Sequence, residues 1–312
     1  MFIRRLKKRI RGITRSCVLD FGDYRRTVFV AGTGRSGTTW VEEIVNHAND
    51  YRVMFEPFHS LEIDRLKHWN YKQYLRVDND SDRFLKPAAA ILGGKIRHPW
   101  IDKFNNKLIA RKRLIKDIRA NLFLKWIKHH FPEIPIILLL RHPCVVANSR
   151  RKLKWNCHLD DLLSQPDLLT DYLQPFQHRL ETAADPFDKH VFMWCVENFI
   201  PLTQFSPGEI LVVFYEHLCG NPREEIERIM AFLGEPLPGP LRDVAANPSA
   251  LSRDESAVRT GADPIESWRK HVDGKQVARA MEICGDFGMN AIYGEGSLPL
   301  LNGDAALNAF SP

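Results

Sequence analysis

The sequence predicts an α/β fold built on a doubly wound, mainly parallel sheet with helices on both faces. Three observations carry that reading. Short apolar runs recur at "TVFVA" (27–31), "YRVMFE" (51–56), "RLIKDI" (113–118), "IPIILLLR" (134–141) and "EILVVFYE" (209–216). Most are too continuously apolar for strands with one wet face, which suits a parallel sheet covered on both sides. Helical candidates fall between them at 38–48, 119–130, 143–153, 188–204 and 222–233. Strand–helix–strand order of this kind places a ligand at the carboxyl ends of the strands.

The first strand runs into "GTGRSGTTW", a P-loop-like segment. Gly32, Gly34 and Gly37 can take backbone angles closed to other residues, so that consecutive N–H groups curl around an anion. The dipole of the following helix and the hydroxyls of Ser36, Thr38 and Thr39 favour the same guest, a phosphate. A nucleotide-triphosphate loop reads G-x-x-x-x-G-K-[ST], yet here Thr38 stands in the place of the lysine, and the nearest cation is Arg35. A donor with one 5′-phosphate and a terminal group of lower charge needs less cationic help than a triphosphate.

The fourth strand ends in a second motif, "LLLRHPCVVANSRRKL" (138–153). Arg141 stands at the strand end, and Pro143 suits the first turn of the helix that follows. That helix presents Ser149, eight residues after Arg141, so that a guanidinium and a hydroxyl converge on one anion.

These two motifs resemble those of sulfotransferases, which use 3′-phosphoadenosine-5′-phosphosulfate. The first loop is similar to the family's 5′-phosphosulfate loop, with Arg35 at the usual cation position and Ser36, Gly37, Thr38 and Thr39 cradling the 5′-phosphate. The second is similar to the 3′-phosphate motif, Arg-Asp-Pro followed by Ser, in which His142 replaces the aspartate. "VVFYEHLCGNPREEIERIMAFLG" resembles a recurrent scaffold segment of the family, and "SWRKHV" (267–272) sits where a basic, Trp-containing segment is common. The resemblance implies that Arg253 or Arg259, just before it, closes over the 3′-phosphate.

Sulfuryl transfer needs an acceptor aligned with sulfur, a base for its proton and cations for the leaving oxygen. Glu56 is the candidate base: it emerges at a strand end beside Pro57, with Met54, Phe55 and Phe58 placed to exclude water and raise its pKa. Family members acting on carbohydrates carry a similar Glu-Pro element. His59 is the main rival, because the small-molecule branch uses histidine, and His98 is a further one. Arg35 and Lys116 are the candidate cations, Lys116 lying near the end of a predicted strand where sugar-acting members have a catalytic lysine. Its plainer role is an ion pair with Asp117 or another carboxylate. No metal is required.

The chain has 312 residues, 44% of them hydrophobic and 26% charged, an ordinary composition for a soluble globular protein. Its net charge of +6 resides in residues 1–26, where nine cations face Asp20 and Asp23. We therefore expect a basic amphipathic arm at 1–26, suited to peripheral contact with an anionic membrane, a single domain at 27–294, and a weakly structured tail at 295–312. Residues 234–264, rich in Pro, Gly and Ala, are a second weakly structured stretch. Six scattered cysteines suggest neither a zinc site nor a disulfide framework, and point to a cytoplasmic location. The arm contains no long apolar core, so we expect neither a secretory signal nor a membrane anchor there.

The expected acceptor is a hydroxylated glycan, a lipid-linked molecule or a small molecule. Trp69, Tyr71, Tyr74, Trp100 and Trp155 are available as a platform or as core. Two other readings stay open. A P-loop kinase using ATP and magnesium would draw on Glu216, and a non-catalytic nucleotide sensor would bind a polyanion or membrane through its arm. No specific nucleic-acid module is recognisable.

Overall fold

Residues 27–32 put Val28 and Val30 on one side of a strand and Phe29 and Ala31 on the other, and both sides are buried. Period-two alternation thus feeds two cores rather than one. The computed structural model that shows this describes residues 16–237 and 263–311.

The strands are β1 Leu19–Asp20, β2 Thr27–Gly32, β3 Tyr51–Phe55, β4 Ile109–Ala110, β5 Lys112–Asp117, β6 Ile136–Leu140 and β7 Leu211–Phe214. Five form one sheet in the order β3-β5-β2-β6-β7, with every neighbouring pair parallel. All five predicted strands are present. On one face, Val28, Val30, Leu139 and Val213 pack against α1 (Thr38–Val45) and α6 (Pro222–Leu233). On the other, Phe29, Ala31, Leu138 and Phe214 meet α3 (Leu124–His130), α4 (Pro143–Lys152) and α5 (Pro186–Gln204). The α5 helix is apolar on nearly all sides because it is enclosed, with Asp185 as its N-cap and Pro186 in its first turn.

Three features were not anticipated. Helices α2 (Asp82–Leu92) and α7 (Gly274–Asp286) fall outside the predicted set. The tail is not weakly structured throughout: α8 (Gly303–Phe310) is capped by Asn302 and buries Ala306 and Leu307 against the sheet's second core. The domain also begins before residue 27, because Asp20 is buried in ion pairs with Arg52 and Arg113. The first fifteen residues of the arm, and positions 238–262 of the Pro/Gly/Ala-rich stretch, lie outside the described residues.

Candidate functional site

Strand order reverses around β2, and the loop that leaves its carboxyl end is the glycine segment 32–37. Gly37 has φ 102° and serves as the N-cap of α1 without any side-chain cap, so the first-turn amides have no competing carboxylate or hydroxyl at that position. A Cβ on Gly37 would stand 2.6 Å from the ring of Tyr215, and one on Gly34 would stand 2.6 Å from Trp155. Ser36 is buried and holds the loop by donating to the Thr33 carbonyl at 2.7 Å.

Gly32 pairs with Leu139, so Arg141, two residues past Leu139, arrives beside the loop. Its guanidinium lies 3.7 Å from the ring centroid of Tyr215 and reaches the carbonyls of Arg35 and Pro264 at 3.5 and 3.3 Å. Its Nε is buried with no hydrogen-bond partner among the described residues. Arg35, itself at φ 82°, donates from Nε to Ser149 Oγ at 3.0 Å. Two motifs 114 residues apart therefore meet side chain to side chain.

His142 shows why it can stand for aspartate. Its Nδ1 accepts from the Cys144 amide at 3.3 Å and so caps α4, as a carboxylate would. Nε2 lies 3.3 Å from the Gly294 carbonyl, and the ring stacks on Trp268. Burial pushes its pKa down to about 4, which keeps the ring neutral and Nδ1 available as an acceptor. Glu216 is likewise committed to scaffold, accepting from the His142 amide and the Tyr293 hydroxyl.

A model of the sulfotransferase family matches residues 27–239. The chain belongs to the sulfotransferase family. No curated protein matches its sequence. Among solved structures, a sulfotransferase domain from the curacin biosynthetic pathway is 14% identical, with 84% of this chain and 96% of that chain covered and a TM-score of 0.45. A sulfotransferase domain from the Synechococcus PCC 7002 olefin synthase is 16% identical, with 84% and 94% covered and a TM-score of 0.47. Retinol dehydratase in complex with androsterone and the inactive cofactor PAP is 18% identical, with 84% and 80% covered and a TM-score of 0.43.

In this sulfotransferase, Glu56 sits just past the end of β3 with φ 43°, its amide bonded to the Lys116 carbonyl on β5 at 2.7 Å. The Lys116 ammonium is 2.8 Å from one carboxylate oxygen and the Arg119 guanidinium 2.6 Å from the other. Burial alone would raise the carboxyl's pKa, as expected above. The two cations outweigh it and hold Glu56 at about 2, which overturns the expected rise. Asp117 does not take Lys116; it accepts from the amides of Phe58 and Arg119.

Glu56 opens on a cavity of about 540 Å³ that also touches Gly34 of the loop. Tyr71, Trp100 and Trp155 line it, whereas Trp69 and Tyr74 are core residues. His59 and His98 do not line it. His59 is held neutral, with burial pushing its pKa to about 4. In the cavity wall Glu197 joins Lys72 at 2.5 Å and Arg150 at 2.7 Å, and Arg150 donates to the Gly34 carbonyl. Sequence reasoning missed Arg119, Lys72, Arg150 and Glu197. Arg119 and Arg150 stand beside motif residues and were open to inspection; the Lys72–Glu197 contact has no local signature. Arg253 and Arg259 lie outside the described residues. Among the described residues, no group of three His, Cys, Asp or Glu side chains is placed to hold a metal ion, and no helix is long and apolar enough to cross a membrane.

Proposed function

We propose that the chain transfers a sulfuryl group from 3′-phosphoadenosine-5′-phosphosulfate to a hydroxyl, or less readily an amine, of an acceptor seated in the cavity beside Glu56. The observation that carries this is the Arg35–Ser149 contact, which joins two anion-binding motifs into one place. The donor, when bound, supplies the electrophilic sulfuryl group. Arg35, Ser36, Gly37, Thr38 and Thr39 hold the 5′-phosphate through backbone amides, hydroxyls and one guanidinium. Arg141 and Ser149 hold the 3′-phosphate, and the buried Arg141 Nε without a partner supports an anion there. Arg259 is the proposed third 3′-phosphate ligand.

Glu56 is the proposed base, since it faces the cavity where His59 and His98 do not. While both Lys116 and Arg119 hold it, proton acceptance is disfavoured. A bound anion that draws Lys116 away raises the carboxylate's basicity, so one ammonium both releases the base and offsets negative charge at the leaving oxygen. Tyr71, Trp100 and Trp155 among charged groups suit a polar hydroxylated acceptor such as a glycan or a lipid-linked head group. Peripheral contact with a membrane on its cytoplasmic side is part of the same reading.

The test incubates the protein with isotope-labelled donor and a panel of hydroxylated acceptors. Label transfer is expected, with Glu56→Gln slower by about 10²- to 10⁴-fold. Phosphate transfer from ATP with magnesium, or an unchanged rate in Glu56→Gln, would refute the scheme.

A further inference from the structure

Between β1 and β4 the usual alternation of a sheet is inverted. The two strands pair in parallel, with Leu19 opposite Ile109 and Asp20 opposite Ala110. Asp20 and Ala110 point inward: the Asp20 carboxylate takes the buried guanidiniums of Arg52 and Arg113, and Ala110 is fully buried. Leu19 and Ile109 point outward and are 62% and 60% exposed. Phe21, two residues on from Leu19, is 63% exposed, and Leu108, whose carbonyl accepts the Leu19 amide, is 73% exposed. A slip of one residue would reverse the faces, and the buried ion pairs of Asp20 forbid it. The outward apolar face is therefore built in.

Leu19 and Ile109, paired across the ladder, are large exposed apolar side chains, with Phe21 and Leu108 close by in the chain, and exposed apolar groups brought together in this way mark a contact surface. What surrounds this one is cationic. Lys107 and Arg111 flank Leu108 and Ile109 in the chain, and the Lys95 side chain lies beside Gly22, next to Phe21. Residues 1–15, which precede the ladder in the sequence, carry seven Lys or Arg and no Asp or Glu, interleaved with Phe2, Ile3, Leu6, Ile10 and Ile13. A few exposed apolar side chains give only marginal membrane affinity, and so does a basic segment; the two together make a stable peripheral anchor.

Resting on the peripheral membrane contact in the function proposed above, we propose that the β1/β4 ladder is the membrane-docking face and takes the anionic surface of a phospholipid bilayer. Leu19, Phe21, Leu108 and Ile109 enter the boundary between head groups and acyl chains, while the arm and the rim cations pair with lipid phosphates. Arg52 and Arg113 stand at the amino-terminal ends of β3 and β5, whereas Glu56 and Lys116 stand at their carboxyl ends. Docking through the ladder thus turns the cavity away from the bilayer, which favours a water-borne acceptor such as a glycan over a lipid-linked head group in the same membrane.

The test is co-flotation of the full chain with vesicles of phosphatidylcholine alone and of phosphatidylcholine enriched in phosphatidylserine. The wild type is expected to float with the anionic vesicles and stay behind with the neutral ones. Phe21→Ser with Ile109→Ser, both exposed and outside the catalytic site, is expected to lower binding about tenfold or more with an unchanged melting curve. Leu61→Ser, an exposed apolar residue elsewhere, is expected to leave binding unchanged. Wild type that ignores anionic vesicles, a double variant that floats as well as wild type, or a patch whose substitution instead dissociates a dimer would each overturn the proposal.

Discussion

At the scale of single residues the site is governed by Glu56 and its two cations. Replacing it with glutamine leaves Lys116 and Arg119 buried around a neutral amide, and we expect a loss of about 3 kcal/mol of folding stability, read by chemical denaturation. The pH dependence follows from the direction of the shift. A carboxyl held at about 2, against 4.5 when unfolded, contributes its full stabilisation above the unfolded value and loses it as pH falls through the folded one. The gap between wild type and Glu56→Gln should therefore narrow from pH 5 to pH 2, and a constant gap would contradict the ion-pair account. Glu56 and Lys116 were legible as charged residues at the ends of apolar runs. Their contact was not, because a separation of 60 residues leaves no local pattern, and burial alone predicted the wrong sign for the pKa.

Elements set what those residues can reach. The loop before α1 depends on Gly37, where a methyl group would meet both a positive φ and the Tyr215 ring. Gly37→Ala is expected to cost about 1–3 kcal/mol of stability and to abolish stabilisation by nucleotide in a thermal melt. Gly220→Ala, where a Cβ meets nothing within 4 Å, is the control and should melt like wild type. His142→Ala removes the cap of α4 and is expected to cost about 1 kcal/mol or more. The strands of the main sheet were readable because both faces are buried and the runs are unbroken. Helices α1, α3, α4 and α5 were readable from their position between strands, and α6 from following the last of them. Helix α8 was not, because two small faces, Ala306 and Leu307, suffice to dock it and give little periodicity.

Across the whole molecule, three buried histidines couple folding to pH. His59, His142 and His190 are each pushed by burial to about 4 from 6.5. Between those values the unfolded chain binds protons that the folded one does not, so stability falls as pH drops from about 6.5 toward 4. Glu42, raised by burial to about 7, acts in the opposite sense, as do the carboxyls of Asp102, Asp117 and Glu216, which burial also raises. Denaturation of wild type beside His190→Gln from pH 4 to pH 8 isolates one histidine: the wild type should lose stability relative to the variant as pH falls from 6.5 toward 4, and a constant difference would contradict the account. The central claim concerns the convergence of the two motifs on one donor. Titration calorimetry with 3′-phosphoadenosine-5′-phosphate, adenosine-5′-phosphate and ATP with magnesium tests it most directly. The account predicts that the 3′-phosphorylated nucleotide binds tightest, and that Arg141→Gln with Ser149→Ala weakens it about tenfold or more, toward the affinity of adenosine-5′-phosphate. Equal binding of the bisphosphate and the monophosphate, or preference for ATP with magnesium, would contradict it.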